Sequence, residues 1–327
     1  MERIMIRRHL FATTGAVLAA PALVGRASAQ TAPAAAPAQA PGFYRFRVGS
    51  FVATTVWDGF APRQNPGTGW IVNADQAAVE GALRDAMLST ARLDNPFIVT
   101  FLETPAGLTM FDSGTGGQLA PTAGRMRENL AAAGIDPARV TRILVSHFHG
   151  DHITGLTTAE NAAVFPNAQV FVPEVEWAFW TDASNTSRVP EFQRGTFANV
   201  TRRFGPYQGK VERFAAGAEI LPGVRAVAAY GHTPGHTIFH VADGADQLFV
   251  TADTASRPEI FLRNPGWTSI FDIDGPTATA SRVALFGRIA GERARMTAYH
   301  FPFPANGFVQ RMGDGFRFMP ADWTNAV

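Results

Sequence analysis

Three histidines and an aspartate fall within six residues, His147-Phe148-His149-Gly150-Asp151-His152, directly after an apolar, β-branched run at residues 140–146. Packing that many imidazoles beside a carboxylate without a cation is costly, so the segment points to an apolar strand followed directly by a metal site. In extended backbone, residues i and i+2 face the same way, which aims His147 and His149 at one ion while Phe148 enters the core. Gly150 permits a sharp turn, after which Asp151 and His152 face a second ion about 3.5–4 Å from the first. The chain has no cysteine. A metal site here is therefore built from His, Asp and Glu, and an oxidising compartment would add no disulfide.

The elements around the cluster read as one α/β domain. Residues 43–56 alternate as a half-buried strand, with a turn at Trp57-Asp58-Gly59, and residues 75–88 read as a helix that Asp75 starts. Residues 96–103 and 107–111 form a hairpin about Thr104-Pro105-Ala106, followed by the turn-rich Asp112-Ser113-Gly114. A helix over 121–133 stops at Gly134. Further strands are expected at 168–173, 223–230, 237–241 and 247–251, and a helix at 281–290. Strands alternating with helices across about 285 residues call for layered sheets in one domain. No short solenoid repeat is visible.

The N-terminal segment is expected to be a targeting signal. Arg3, Arg7 and Arg8 precede an apolar run at residues 10–24, and Ala27-Ser28-Ala29 supplies the small residues of a cleavage site. The run falls short of the ~20 apolar residues a membrane span needs. Residues 1–29 are thus read as a signal peptide, the Arg7-Arg8 pair resembling a twin-arginine export signal with the general secretory route also open. Residues 30–41 are an Ala/Pro-rich leader and residues 42–327 the folded domain. The expected location is periplasmic or secreted, with no stable membrane anchor. Removing Arg3, Arg7, Arg8, Arg26 and Glu2 leaves 24 basic against 26 acidic residues. A balance so near neutral disfavours nucleic acid as a partner.

Beyond the cluster, Gly231-His232-Thr233-Pro234-Gly235-His236-Thr237, Phe249-Val250-Thr251-Ala252-Asp253-Thr254 and Ala298-Tyr299-His300-Phe301-Pro302-Phe303-Pro304 follow in order. With these four motifs the sequence resembles the metallo-β-lactamase superfamily over residues 43–320, its signature His-x-His-x-Asp-His standing here as HFHGDH. The resemblance implies an αββα sandwich with two mixed β-sheets and metals held by loops at one edge. It assigns His147, His149 and His232 to one metal and Asp151, His152 and His300 to the other, with Asp253 bridging. It prefers His232 to His236 as the ligand, leaving His236 and His240 structural or supporting. Two divalent ions per chain are expected, zinc first, with manganese, cobalt or iron open.

A water held between two such cations has its pKa lowered toward neutrality and becomes a nucleophile, and Asp151 is placed to accept a proton as well as to ligate. The implied activity is hydrolysis. Lack of cysteine excludes β-lactamases that use a cysteine ligand, and charge argues against nucleases. The export signal, His300-FPFP and the closing GFRFMP segment resemble the methyl parathion hydrolase group and its lactonase relatives. Quorum-quenching lactonases typically place tyrosine three residues after the bridging aspartate, where this chain has Ser256.

Aromatic residues Trp177, Trp180, Phe197 and Phe301 are the expected substrate pocket. The favoured substrate is a small, uncharged, hydrophobic ester-like molecule: a lactone, aryl ester or phosphotriester. A glyoxalase II-like thioesterase or a cysteine-free metallo-β-lactamase is the alternative. A homodimer is left open.

Overall fold

A computed structural model describes residues 39–325 and 327. The expected signal, residues 1–29, lies outside them, as does the leader up to residue 38.

The unit Pro41–Val327 is built on two seven-stranded mixed sheets. The first takes β1 (Phe43–Val48), β2 (Phe51–Gln64), β3 (Arg92–Thr104), β4 (Gly107–Phe111), β5 (Val140–Leu144), β6 (Gln169–Pro173) and β7 (Val211–Phe214) in chain order, antiparallel to β4 and parallel beyond it. The second takes β8 (Glu219–Leu221), β9 (Val224–Ala228), β10 (Thr237–Asp243), β11 (Asp246–Val250), β12 (Arg295–Thr297), β13 (Asn306–Met312) and β14 (Gly315–Pro320), with only the β11–β12 pair parallel. The helices are α1 (Gln76–Asp85), α2 (Met126–Ala132), α3 (Gly150–Ile153), α4 (Glu174–Thr181), α5 (Gly195–Phe204) and α6 (Gly275–Glu292).

Alternation along the strands explains the four layers. Leu102, Phe111, Leu144 and Phe171 of the first sheet meet Phe239, Val241, Leu248 and Val250 of the second in one shared core. Their neighbours in sequence, Phe101, Met110, Ile143 and Val170, point the other way, under Met126, Leu130, Phe179, Val200 and Phe204 from the helical side. On the far sheet, Ile238, Phe249 and Met296 pack beneath Val79 and Leu83 of α1 and Leu285, Phe286 and Ile289 of α6. Strands buried on both faces read as near-continuous apolar runs, as residues 96–102 of β3 do. This is the expected αββα sandwich.

Three boundaries differ from the sequence reading. Residues 43–56 are not one strand, because Gly49, at φ +59°, and Ser50 turn the chain into the β1–β2 hairpin. There is no turn at Trp57-Asp58-Gly59; β2 runs through it with a register shift between Trp57 and Gly59. Asp58 is a buried carboxylate that accepts from Thr115 N and Oγ1 and from Met126 N. Gly59 sits so close to Thr122 O that a Cβ would come within 2.2 Å of it. That contact draws residues 121–125 out of the expected helix, and α2 starts only at Met126. By contrast α6 begins six residues early, at Gly275, because Asp274 caps it through Thr277 N. Asp75 caps α1 as expected, accepting from Ala78 N at 2.7 Å. Among the described residues no helix is long and apolar enough to cross a membrane.

Candidate metal centre

Five segments deliver the site to one edge of the sandwich. Extended backbone leaves β5 and presents His147 and His149, and the single turn of α3 presents Asp151 and His152. The β9–β10 loop brings His232, the turn after β11 brings Asp253, and the segment after β12 brings His300. Ring nitrogens then converge: His147 Nε2 lies 3.1 Å from His149 Nδ1, which lies 3.0 Å from His232 Nε2. In a second group, Asp151 Oδ2 is 3.5 Å from His152 Nε2 and 3.4 Å from His300 Nε2. Asp253 stands between the groups, with Oδ2 3.3 Å from His232 Nε2 and 3.1 Å from His300 Nε2, and Oδ1 3.2 Å from His152 Nε2.

The donor set fits divalent cations. A ring nitrogen either donates or accepts, so His149 Nδ1, facing two other imidazole nitrogens, cannot be satisfied with both by hydrogen bonding alone while all stay neutral. His152 Nε2 and Asp253 Oδ1 are buried with no hydrogen-bond partner, and both point into the cluster. Three groups of His and Asp atoms are each close enough to share an ion: His147/His149/His232, His147/His152/Asp253 and Asp151/His152/His300.

The opposite nitrogens of the rings are held from behind. His152 Nδ1 bonds Asp112 Oδ2 at 2.9 Å, His232 Nδ1 bonds Asp272 Oδ1 at 2.9 Å, His300 Nδ1 donates to Pro96 O at 2.8 Å, and His147 Nδ1 meets Ser146 Oγ at 2.9 Å. Such partners fix the tautomer and leave the facing nitrogen free to ligate. His236 has both nitrogens committed to backbone, Nδ1 to Ala229 O and Nε2 to Asp253 N. It positions Asp253 rather than facing the cluster. His240 lies away on β10, bonded to Gln247 and stacked on Phe249.

Glu176, on α4, was not legible as a site residue. Its carboxylate accepts from Phe148 N and Trp180 Nε1 on one oxygen, and from Thr233 Oγ1 and Gly235 N on the other, at 2.7–2.9 Å. One buried side chain thus ties the loop of His147 and His149 to the loop of His232. Asp58, Asp112, Asp272 and Tyr299 were missed as well. Of these only Tyr299 had a local signal, its place beside His300; its hydroxyl donates to Asp151 O at 2.7 Å.

Charges in the cluster compensate one another. Burial, with His152 and His149 facing it, pushes His147 well below its ordinary pKa, and burial beside His232 brings His149 down to about 3. Burial also disfavours charge on His232, yet hydrogen bonds to Asp253 and Asp272 lift it to about 9. His152 and His300 rise likewise against burial, drawn by Asp151 and Asp253. Burial alone would raise Asp253, but His300 and His152 hold it well below the carboxylate range. Without a cation these shared protons balance the carboxylates; metal would displace them.

Residues 98–314 match the model of the metallo-beta-lactamase superfamily. The chain belongs to that superfamily. Two solved structures superpose on the chain over nearly their whole length. The dizinc quorum-quenching lactonase AidC, solved with a product, is 25% identical at a TM-score of 0.81, over 87% of this chain and 99% of its own. The hydrolase AbOPH is 23% identical at a TM-score of 0.82, over 88% of this chain and 100% of its own, a likeness of fold. Ribonuclease Z of Methanothermobacter thermautotrophicus is 42% identical over 55 residues, which is 17% of this chain and only 15% of that protein. The chain therefore spans a small part of that relative.

A cleft of about 530 Å³ opens over the cluster, with His149, Asp151, His232, Asp253 and His300 on its floor. Its walls include Arg63, Trp70, Phe97, Phe192 and Phe271. This corrects the expected pocket, for Trp177, Trp180, Phe197 and Phe301 do not line it. Trp180 and Phe301 are wholly buried, and Trp177 and Phe197 pack with Phe204 and Trp180 over the first sheet. Helix α4 turns its aromatic residues toward that sheet, and Phe301 packs on Phe318 on the far side. The cleft's own aromatics come from other segments: the β2–α1 connection, β3 and the stretches about Phe192 and Phe271.

Proposed function

We propose that this protein is a two-metal hydrolase that cleaves an ester-like bond, a lactone foremost and aryl esters or phosphotriesters by the same chemistry, in a hydrophobic substrate. The observation that carries the reading is the pair of converging ligand groups sharing Asp253 at the floor of a cleft with aromatic walls. The likeness to a dizinc lactonase along 99% of its length supports the choice of bond. His147, His149 and His232 would hold one ion, and Asp151, His152 and His300 the other, with Asp253 touching both.

When bound, a pair of divalent cations, zinc first, polarises the scissile group and makes water acidic enough to attack near neutral pH. The chain's own part is orientation and proton handling. Asp151 is the most exposed of the cluster's carboxylates, at 21% against 6% for Asp253. It reaches the cleft, where it takes the attacking water's proton and passes it to the leaving group. Tyr299, whose buried phenol is raised well above its ordinary pKa, stays protonated and anchors Asp151's backbone. Trp70, Phe97 and Phe271 exclude bulk water from the reacting bond and hold the apolar body.

The test is a panel of lactone, aryl ester, phosphotriester, thioester and β-lactam substrates with metal-loaded protein, alongside elemental analysis. About two metals per chain and turnover of the first three classes are expected. Preference for a thioester or β-lactam over every ester would replace the substrate assignment, and full activity in metal-free protein would end the reading.

A further inference from the structure

Arg63 is the sole lysine or arginine among the described residues lining the cleft, and nothing in the proposed chemistry uses it. It sits near the end of β2 and is half-buried. Its guanidinium carbon lies 4.8 Å from the ring of Trp70 and 5.5 Å from that of Phe271. Arginines elsewhere on the protein reach acceptors: Arg257 pairs with Glu259, Arg263 with Asp85, and Arg282 with Asp272. Arg63 has no carboxylate or hydrogen-bond acceptor among the described residues, only the two π faces. A guanidinium has five N–H donors, and rings satisfy charge without satisfying donors.

The position is defined by what it stacks on. Phe271 precedes Asp272, whose carboxylate holds His232, and its carbonyl accepts from Gln193 Nε2. Arg63 therefore belongs to the cleft wall on the His232 side, fixed by packing rather than free on the surface.

We propose that Arg63 is a specificity residue that binds a carboxylate on the non-reacting end of the substrate. This rests on the ester-hydrolase reading above and narrows it: the substrate has an apolar body with an anionic end. It revises the expectation of an uncharged substrate. Arg63 lies far upstream of the metal motifs, and only folding brings it to the cleft. Two planar donors in parallel make arginine suited to a carboxylate, where lysine offers a point charge.

The experiment uses the metal-loaded protein and a matched pair, mono(4-nitrophenyl) adipate and its methyl ester, alike in leaving group and near in length but differing in the terminal charge. Wild type should favour the carboxylate by about tenfold in kcat/KM, as one partly exposed charge-assisted pair allows. Arg63→Met keeps an apolar stem over Trp70 and should abolish the preference, the loss appearing in the KM of the carboxylate ester. Arg63→Lys should restore part of it. Equal rates in wild type, or a preference that survives Arg63→Met, overturns the proposal.

Turnover of neither compound would count against the esterase reading alone. Arg63 is then judged by calorimetry with monomethyl adipate. The metal groups can bind that carboxylate equally in both proteins, so tighter binding by wild type than by Arg63→Met upholds the proposal, and equal binding refutes it.

Discussion

Glu176 gives the sharpest test of how the metal loops are held. Its two oxygens accept four hydrogen bonds: from Phe148 N, between two ligand histidines; from Thr233 Oγ1 and Gly235 N, beside a third; and from Trp180 Nε1. Alanine would orphan four buried donors at roughly 1–3 kcal/mol each, comparable with the roughly 5–15 kcal/mol that holds a whole domain together. Such a variant could fail simply by unfolding. Glutamine keeps the shape and one acceptor oxygen, and Thr233 can turn its hydroxyl to accept from the new amide. With the amide nitrogen on that side, only the Gly235 N–H is left facing an N–H donor, whereas the opposite orientation would orphan both Phe148 N and Trp180 Nε1. Glu176→Gln should therefore lose about 2 kcal/mol of stability, read as a fall in melting temperature of about 4 °C.

Loss of a ligand's supporting partner typically costs 10–100-fold in metal affinity. Here the loss should fall on the His147/His149/His232 group, because Glu176 touches neither Asp151, His152 nor His300. Graded chelation followed by metal analysis should show one ion released early and the other at its wild-type position. Tyr299→Phe, which removes the hydroxyl bonded to Asp151 O, should weaken the other ion instead. If Glu176→Gln lowers the melting temperature but releases both ions at wild-type chelator concentrations, the carboxylate is only a packing element and the positioning argument is wrong.

His232→Ala should lose metal far more readily than His236→Ala, since both nitrogens of His236 serve backbone groups; the reverse ranking would exchange their roles. Metal affinity should fall with pH below about 9, where His232 without metal holds a proton. The fall should be about tenfold per pH unit for each proton displaced, and calorimetry in buffers of different ionisation enthalpy counts those protons. Specificity constants should rise up to about fourfold per buried methylene along an acyl series. Phe192→Ala, at the cleft wall, should flatten that rise with metal content intact. Trp180→Ala should instead destabilise by roughly 3–5 kcal/mol, measured by denaturant unfolding.

Local sequence sufficed wherever the physics is local. The i, i+2 spacing of His147 and His149 and the turn at Gly150 predicted two facing groups, and alternating apolar strands predicted stacked sheets. The Asp75 cap and the Thr104–Gly107 turn also act within a few residues, and both stand in the structure. What sequence left undecided depends on partners distant along the chain. Asp58 reads as a turn residue until Thr115 and Met126 fold against it, and Asp112 and Asp272 look like loop carboxylates until histidines arrive.

The aromatic residues show the same division. Trp177 and Trp180 lie between the first two metal motifs, whereas Arg63 and Trp70 lie upstream of all of them, yet it is Arg63 and Trp70, with Phe271, that line the cleft. Sequence composition fixes how many rings and charges a chain has to place. Which of them face the metals is set by sheet packing, because one turn of α4 or one hairpin at Gly49 decides the side on which a ring is buried.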